Sequence, residues 1–150
     1  MKLKHFFAIC IVMLLSGSAF SQKDGVGVGI IIGEPTGVSI KNWMTSTTAF
    51  DLGIAWSFTD NTDFHLHGDY LWHNFAVFSP KKGHMPFYYG IGARVKFSDK
   101  TRFGIRGVAG IAYIFAATPI DLFLEVAPIL DLTPGTDFSL NASIGARYYF

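Results

Sequence analysis

With 150 residues the chain has room for one domain and not for two ordinary ones. Half of it is apolar, 16% is aromatic and only 15% is charged, well under the roughly 25% of soluble domains, and no basic stripe beyond Lys81-Lys82 offers itself to nucleic acid. A single cysteine, Cys10, excludes an internal disulfide and a thiolate metal site.

The first segment, MKLKHFFAICIVMLLSGSAFSQ, reads as an export signal. Lys2 and Lys4 precede an apolar run from Phe6 to Leu15, and small side chains at Ala19 and Ser21 suit cleavage before Gln22. The run is too short for a stable membrane-spanning helix, and Cys10 lies inside it rather than after it, against a lipoprotein signal. Residues 1–21 are therefore expected to be a signal peptide and 22–150 the mature domain. Removing the segment takes two lysines from the 12 Lys and Arg, which then face 11 Asp and Glu, a net charge of about −1.

After Gln22, apolar and polar residues alternate with period two between turn-forming stretches, the pattern of β-strands. In chain order the expected strands are 25–33 (GVGVGIIIG), 37–44 (GVSIKNWM), 49–58 (AFDLGIAWSF), 63–75 (DFHLHGDYLWHNF), 86–97 (PFYYGIGARVKF), 102–115 (RFGIRGVAGIAYIF), 120–132 (IDLFLEVAPILDL) and 137–150 (DFSLNASIGARYYF). Most connections are short enough for tight hairpins, and most strands reach the 9–11 residues that a tilted strand needs to cross a bilayer.

Sorting by parity separates two faces. Leu52, Ile54, Tyr89, Ile91, Ile105, Ile111, Leu122, Leu124, Leu140 and Ile144 typify one, which carries no charge in any of the eight segments. The other holds Lys41, Asp51, Asp69, Arg94, Lys96, Arg106, Asp121, Glu125, Asp131 and Arg147, with His65, His67, His73, Asn141 and Ser143. A water-soluble barrel would turn the apolar face inward, but an eight-stranded lumen is too narrow for so many large side chains. Reversed, the apolar face forms a lipid-facing belt. Aromatics gather near both ends, Phe50, Tyr70, Trp72, Phe87, Tyr89, Tyr113, Phe115, Tyr148 and Phe150 at one and Trp56, Phe58, Phe64, Phe97, Phe103 and Phe138 at the other, as interfacial girdles do. The expected fold is all-β, an eight-stranded antiparallel up-and-down transmembrane β-barrel whose last strand pairs with its first, so that no backbone polar group is left bare in hydrocarbon.

The stretches GVGIIIGEPTGVSIKNW, AFDLGIAW, DYLWHNF, YYGIGARVKF, FGIRGVAGIAYIF, FLEVAPILDL and IGARYYF cover nearly all of the mature chain. On them it resembles the small eight-stranded outer-membrane barrels of the OmpA/OmpX architecture, and more closely a poorly characterised family of single-domain bacterial barrels. The resemblance implies residence in the outer membrane and contact with its lipid, but no activity. It also implies that the terminal ARYYF, with Tyr148 and Phe150, serves as the signal read by the outer-membrane assembly machinery. A host or envelope protein partner stays unnamed.

Inside such a barrel, charges must be paired or they carry a large desolvation cost. Lys41, Arg94, Arg106 and Arg147 face Asp51, Asp69 and Glu125, with glycine or alanine at many neighbouring positions, leaving room for long side chains to stretch across. A salt-bridged polar plug is expected, with Glu125 and Asp69 as acidic hubs for Arg94, Arg106 and Arg147. The HLHGD run sets His65, His67 and Asp69 on one side at a spacing used for zinc; hydrogen bonding within the lumen is the reading adopted, with no metal and no cofactor. A lipid-modifying enzyme is the alternative function, but acyl transfer needs a hydroxyl oriented by histidine and carboxylate, and Ser79 and His84 share a loop without an obvious acid. A soluble calycin-like carrier, with its apolar face inward, is a third reading.

Three features fit less simply. Pro128 should mark a bulge or a locally unpaired carbonyl, and Asn42 and Asn74 face outward. The longest connection, Ala76 to Met85, falls on the side of the chain ends, whereas such barrels usually carry their long loops on the other side. Either the strands run further than drawn or the protein presents little on that other side.

Overall fold

The computed structural model describes residues 25–34, 36–57 and 63–150. The expected signal peptide, residues 1–21, and Phe58 of the expected girdle lie outside the described residues. Eight strands follow one another: β1 (Val26–Glu34), β2 (Thr36–Trp43), β3 (Thr48–Ser57), β4 (Asp63–Asn74), β5 (Phe87–Phe97), β6 (Arg102–Ile114), β7 (Ile120–Thr133) and β8 (Asp137–Tyr149). Each end falls within one residue of the expectation, because the turn residues that break the alternation also end the ladders.

Every strand pairs antiparallel with its chain neighbour, and β8 returns to β1 to close the barrel. The seam runs from Gly27↔Tyr149 through Ile30↔Ala146 to Glu34↔Ala142, and the Phe150 amide donates to the Val26 carbonyl at 3.0 Å. Closure removes the two edges that an open sheet would expose, which accounts for a pattern that continues through the last strand.

Burial alternates along β2, β3, β4 and β7. Ile91, Leu124, Leu140 and Ile144 are exposed on the outside at 60%, 59%, 64% and 56%. Lys41, Arg94, Arg106, Arg147, Asp51, Asp69, Asp121, Glu125 and Asp131 are all buried on the inside. This sidedness is the reverse of a soluble carrier. The interior also holds apolar layers: Ile31, Leu71, Tyr88, Val108, Ala112, Phe123 and Ala127 form one, and Trp43, Ala49, Ile114 and Tyr149, with Phe75 packed on them, form another beside the chain ends.

At Pro128 the second of the two expected outcomes is found, a local loss of pairing without a bulge. The β6–β7 ladder has the same register at Arg106↔Ile129 and at Ala109↔Val126, with no pairing at the two positions between. The missing proline donor is therefore absorbed by a local gap opposite Gly107, where an added Cβ would lie 3.5 Å from the Pro128 ring. The register shift lies further along, where Phe103↔Thr133 is followed by Gly104↔Asp131 and Leu132 is left over.

Strand extension does not resolve the loop question, since the strands stop where the turns predict. The rim away from the chain ends has only the connections at residues 35, 58–62, 98–101 and 134–136, while the rim of the chain ends carries 44–47, 75–86 and 115–119.

Candidate functional site: the charged lumen

Inward-facing residues of adjacent strands sit side by side, about 4.8 Å apart. An arginine that must reach a polar partner two strands away has to pass over the residue between, and at three places that residue is glycine. Arg106 on β6 lies beside Gly92 on β5, which lies beside Asp69 on β4; Arg106 Nε donates to Asp69 Oδ1 at 2.8 Å. Arg94 on β5 crosses Gly104 on β6 to Asp131 on β7, with Nη2 2.8 Å from both carboxylate oxygens. Arg147 on β8 crosses Gly29 on β1 to Ser39 on β2, its Nε 2.8 Å from the hydroxyl. Tyr88 repeats the arrangement over Gly110, donating its hydroxyl proton to Glu125 Oε2 at 2.8 Å. A Cβ on Gly92 would collide with Asp69 Oδ1, and one on Gly110 would lie 2.5 Å from the Tyr88 ring.

The crossings are linked. Arg106 Nη2 also donates to Glu125 Oε1 at 2.9 Å, so one guanidinium joins Asp69 and Glu125. Arg147 Nη2 reaches Asp51 Oδ2 at 3.0 Å, its Nη1 lies 3.5 Å from Asp121 Oδ1, and its guanidinium stands 3.9 Å over the Phe123 ring. Ser39 donates in turn to Asp51 at 3.1 Å, and the Tyr149 hydroxyl donates to Asp121 at 2.7 Å. Asp51 and Asp69 are directly opposed across β3 and β4, a like-charge pairing that Arg147 and Arg106 offset from either side.

The expected pattern of two hubs needs correction. Asp69 and Glu125 share Arg106, whereas Arg94 goes to Asp131 and Arg147 to Asp51 and Asp121. The barrel's register decides which acids come within reach of each arginine, and residue order along the chain does not encode that register. Lys41 also departs from the expected salt-bridged set. Its Nζ donates to His73 Nε2 at 2.8 Å and lies 4.4 Å over the Trp43 ring and 5.4 Å over that of Tyr88. His73 Nδ1, carrying the ring proton, then donates to the Thr47 carbonyl at 3.1 Å.

His67 Nε2 and Asp69 Oδ2 are 3.9 Å apart. Among the described residues no three His, Cys, Asp or Glu side chains gather as a metal-ligand set. Alternate residues of one strand are separated by about 6.6 Å along it, and while His67 and Asp69 lean toward each other, His65 does not complete a set of three with them.

No protein-family model and no curated relative matches the chain. Solved structures do. The N-terminal β-barrel domain of Pseudomonas aeruginosa OprF matches with a TM-score of 0.64 at 15% identity, over 83% of this chain and 95% of that one. Neisserial surface protein A, NspA, matches with a TM-score of 0.56, also at 15% identity, over 83% and 93%. The chain shares their fold. At such identity the likeness speaks for the barrel and its closure, and leaves the lumen residues to be understood from their own contacts.

Those contacts leave little space. The cavity among Asp51, His67, Arg106, Glu125, Asn141 and Arg147 measures about 10 Å³, roughly the room of one water molecule. On the outside, Tyr148 and Phe150 stack edge to face 5.0 Å apart, next to the inward Tyr149. Trp72 and Tyr89 stack at 5.9 Å on the same rim, and Phe64 and Phe97 meet at 5.9 Å on the other.

Proposed function

We propose that this protein is an integral outer-membrane barrel with a structural or surface-interaction role, its lumen closed by an ion-paired polar plug, and that it performs no catalysis. One observation carries the reading: the exposed flank of the strands is apolar while Arg94, Arg106, Arg147 and their acids are buried on the axis. Water would select the reverse arrangement, and hydrocarbon selects this one. The fold shared with OprF's barrel domain and a Neisserial surface protein supports it. The lipid-enzyme alternative has no comparable support, because His67 and His73 are buried in the lumen, where His73 bonds to Lys41 and the Thr47 carbonyl.

Unheated protein should migrate differently from boiled protein on a denaturing gel and should require detergent. In planar bilayers it should pass no steady current, since the lumen side chains fill the axis. Identical migration with detergent-free solubility would overturn the membrane assignment; a steady ohmic conductance would overturn the plug; acyl chains released from outer-membrane lipid would overturn the absence of catalysis. Tyr148 and Phe150 are proposed as the assembly signal. Truncating Phe150 should lower the amount inserted in cells while leaving refolding in detergent intact.

A further inference from the structure

The two rims differ in charge. At the rim away from the chain ends both signs are present and paired: Lys96 with Asp63 at 3.0 Å and Arg102 with Asp137 at 3.2 Å. At the rim of the chain ends, the connections 44–47, 75–86 and 115–119 contain no Asp or Glu, and Lys81 and Lys82 are their only permanently charged side chains. Both lysines are exposed, and neither enters an ion pair among the described residues. Four and three residues before Lys81 in the same loop, Val77 and Phe78 are exposed at 51% and 39%.

The loop is fixed at both ends. Phe75 packs into the cluster of Trp43, Ala49, Ile114 and Tyr149. His84 exchanges two backbone hydrogen bonds with Ile114, at 2.9 and 2.7 Å, and the Ala112 amide donates to the Pro86 carbonyl at 3.1 Å. Gly83 turns the chain at φ 72°, where an added Cβ would collide with the Ile114 carbonyl. The remaining tie sets the height of the lysines. Tyr113, an outward girdle residue stacked edge to face on Phe115 at 4.9 Å, donates its hydroxyl proton to the Lys82 carbonyl at 2.9 Å. Girdle tyrosines place their hydroxyls at headgroup level, so the hydrogen bond holds Lys81 and Lys82 there too.

We infer that the 75–86 loop docks on anionic phospholipid headgroups of the leaflet beside the chain ends, with Val77 and Phe78 dipping below the headgroups and Lys81 and Lys82 meeting their phosphates. The inference rests on the membrane reading above and names the lipid that this rim selects. Charge complementarity argues for it: two fixed cations with no acidic neighbour in the rim connections, beside exposed apolar side chains, match an anionic apolar interface better than an anionic polymer in water.

Protein extracted from membranes in mild detergent is exchanged into bilayers of phosphatidylcholine, alone or mixed with phosphatidylglycerol, and the lipids it retains are counted by native mass spectrometry. Phosphatidylglycerol should be retained preferentially. The K81Q/K82Q variant should lose that preference by about fivefold per lysine, about 25-fold for the pair at low salt, with unchanged heat-dependent migration. An environment-sensitive label on Phe78→Cys, with Cys10→Ser, should be quenched from within the bilayer and shielded from aqueous iodide. Equal retention of the two lipids, or a label open to iodide, in protein that has inserted, overturns the docking while leaving the membrane reading intact. Binding to isolated cell wall that depends on both lysines, without lipid preference, also overturns it. Failure to enter bilayers removes both readings together.

Discussion

Arg106 and Asp69 stand two strands apart and meet at 2.8 Å across Gly92. The geometry shows why glycine recurs at lumen positions. A side chain at the middle position would occupy the path of the guanidinium and the seat of the carboxylate, which is where the Cβ of Gly92 would fall. Arg94 over Gly104 and Arg147 over Gly29 use the same device, and Tyr88 uses it over Gly110. Each crossing ties three strands together, so the ion pairs fix register as well as filling space.

The first prediction concerns the guanidinium shared by two acids. Arg106→Met leaves Asp69 and Glu125 buried with one partner fewer each, and breaking a buried pair in this way costs about 3–5 kcal/mol. Adding Asp69→Asn and Glu125→Gln removes the stranded charge and should recover most of the loss. Urea unfolding in lipid vesicles measures both; a triple variant no more stable than Arg106→Met would show that the ion pairs are not the source of the cost.

Glycine at the crossing should be intolerant even of a methyl group. Gly92→Ala pushes a Cβ against Asp69 Oδ1 and the Gly68 carbonyl, an overpacking worth about 1–3 kcal/mol. Gly135, in the β7–β8 turn, has nothing within 4 Å of its would-be Cβ, and Gly135→Ala should stay within about 0.5 kcal/mol. The comparison separates the need for space from any general effect of glycine, and equal losses at both sites would contradict it.

Tyr88→Phe tests the aromatic arm of the network. Its hydroxyl supplies one oxygen of Glu125 while Arg106 supplies the other. Losing a hydrogen bond to a charged group should cost about 1.5–3 kcal/mol. With Glu125→Gln already present the same change should cost clearly less, because the two residues share one interaction. A double-mutant cycle with no coupling would refute the linkage.

Strand limits and sidedness were legible because both follow from local rules: turn residues end the ladders, and period two fixes which side chains share a face. Parity groups Lys41, Asp51, Asp69, Arg94, Arg106, Glu125 and Arg147 on one face, and the narrow lumen of eight strands turns that face inward. Their pairing was not legible. Arg94 and Asp131 are 37 residues apart and Arg147 and Ser39 are 108, and only the register of the closed barrel says which acid stands across which gap. Ser39, Tyr88 and Tyr149 join the network without standing among the expected residues, although the sequence carries a signal for the two tyrosines. Placing Tyr89 and Tyr148 outward obliges Tyr88 and Tyr149 to point inward, where a buried hydroxyl needs a partner. Pro128 is legible only as a pair of alternatives for a related reason: a proline on a strand announces a lost donor, but whether the ladder shifts or merely gaps depends on the facing residue, here Gly107.

The sidedness of the belt yields the last prediction. Ile91 is exposed at 60% in the middle of β5, flanked by Tyr70 and Gly107 on the neighbouring strands. In water an exposed Ile→Arg change would be nearly neutral, because the charge stays solvated. In hydrocarbon a lipid-facing arginine at mid-depth costs about 2–4 kcal/mol, falling toward zero near the interfaces. Ile91→Arg should therefore destabilise the barrel by that amount in bilayers, whereas Asn74→Arg, outward at the rim where the girdle meets headgroups, should cost less than about 1 kcal/mol. The depth dependence is the diagnostic quantity, measured by unfolding each variant from vesicles of one composition. Equal, negligible costs at the two sites would mean that water rather than lipid covers the apolar flank.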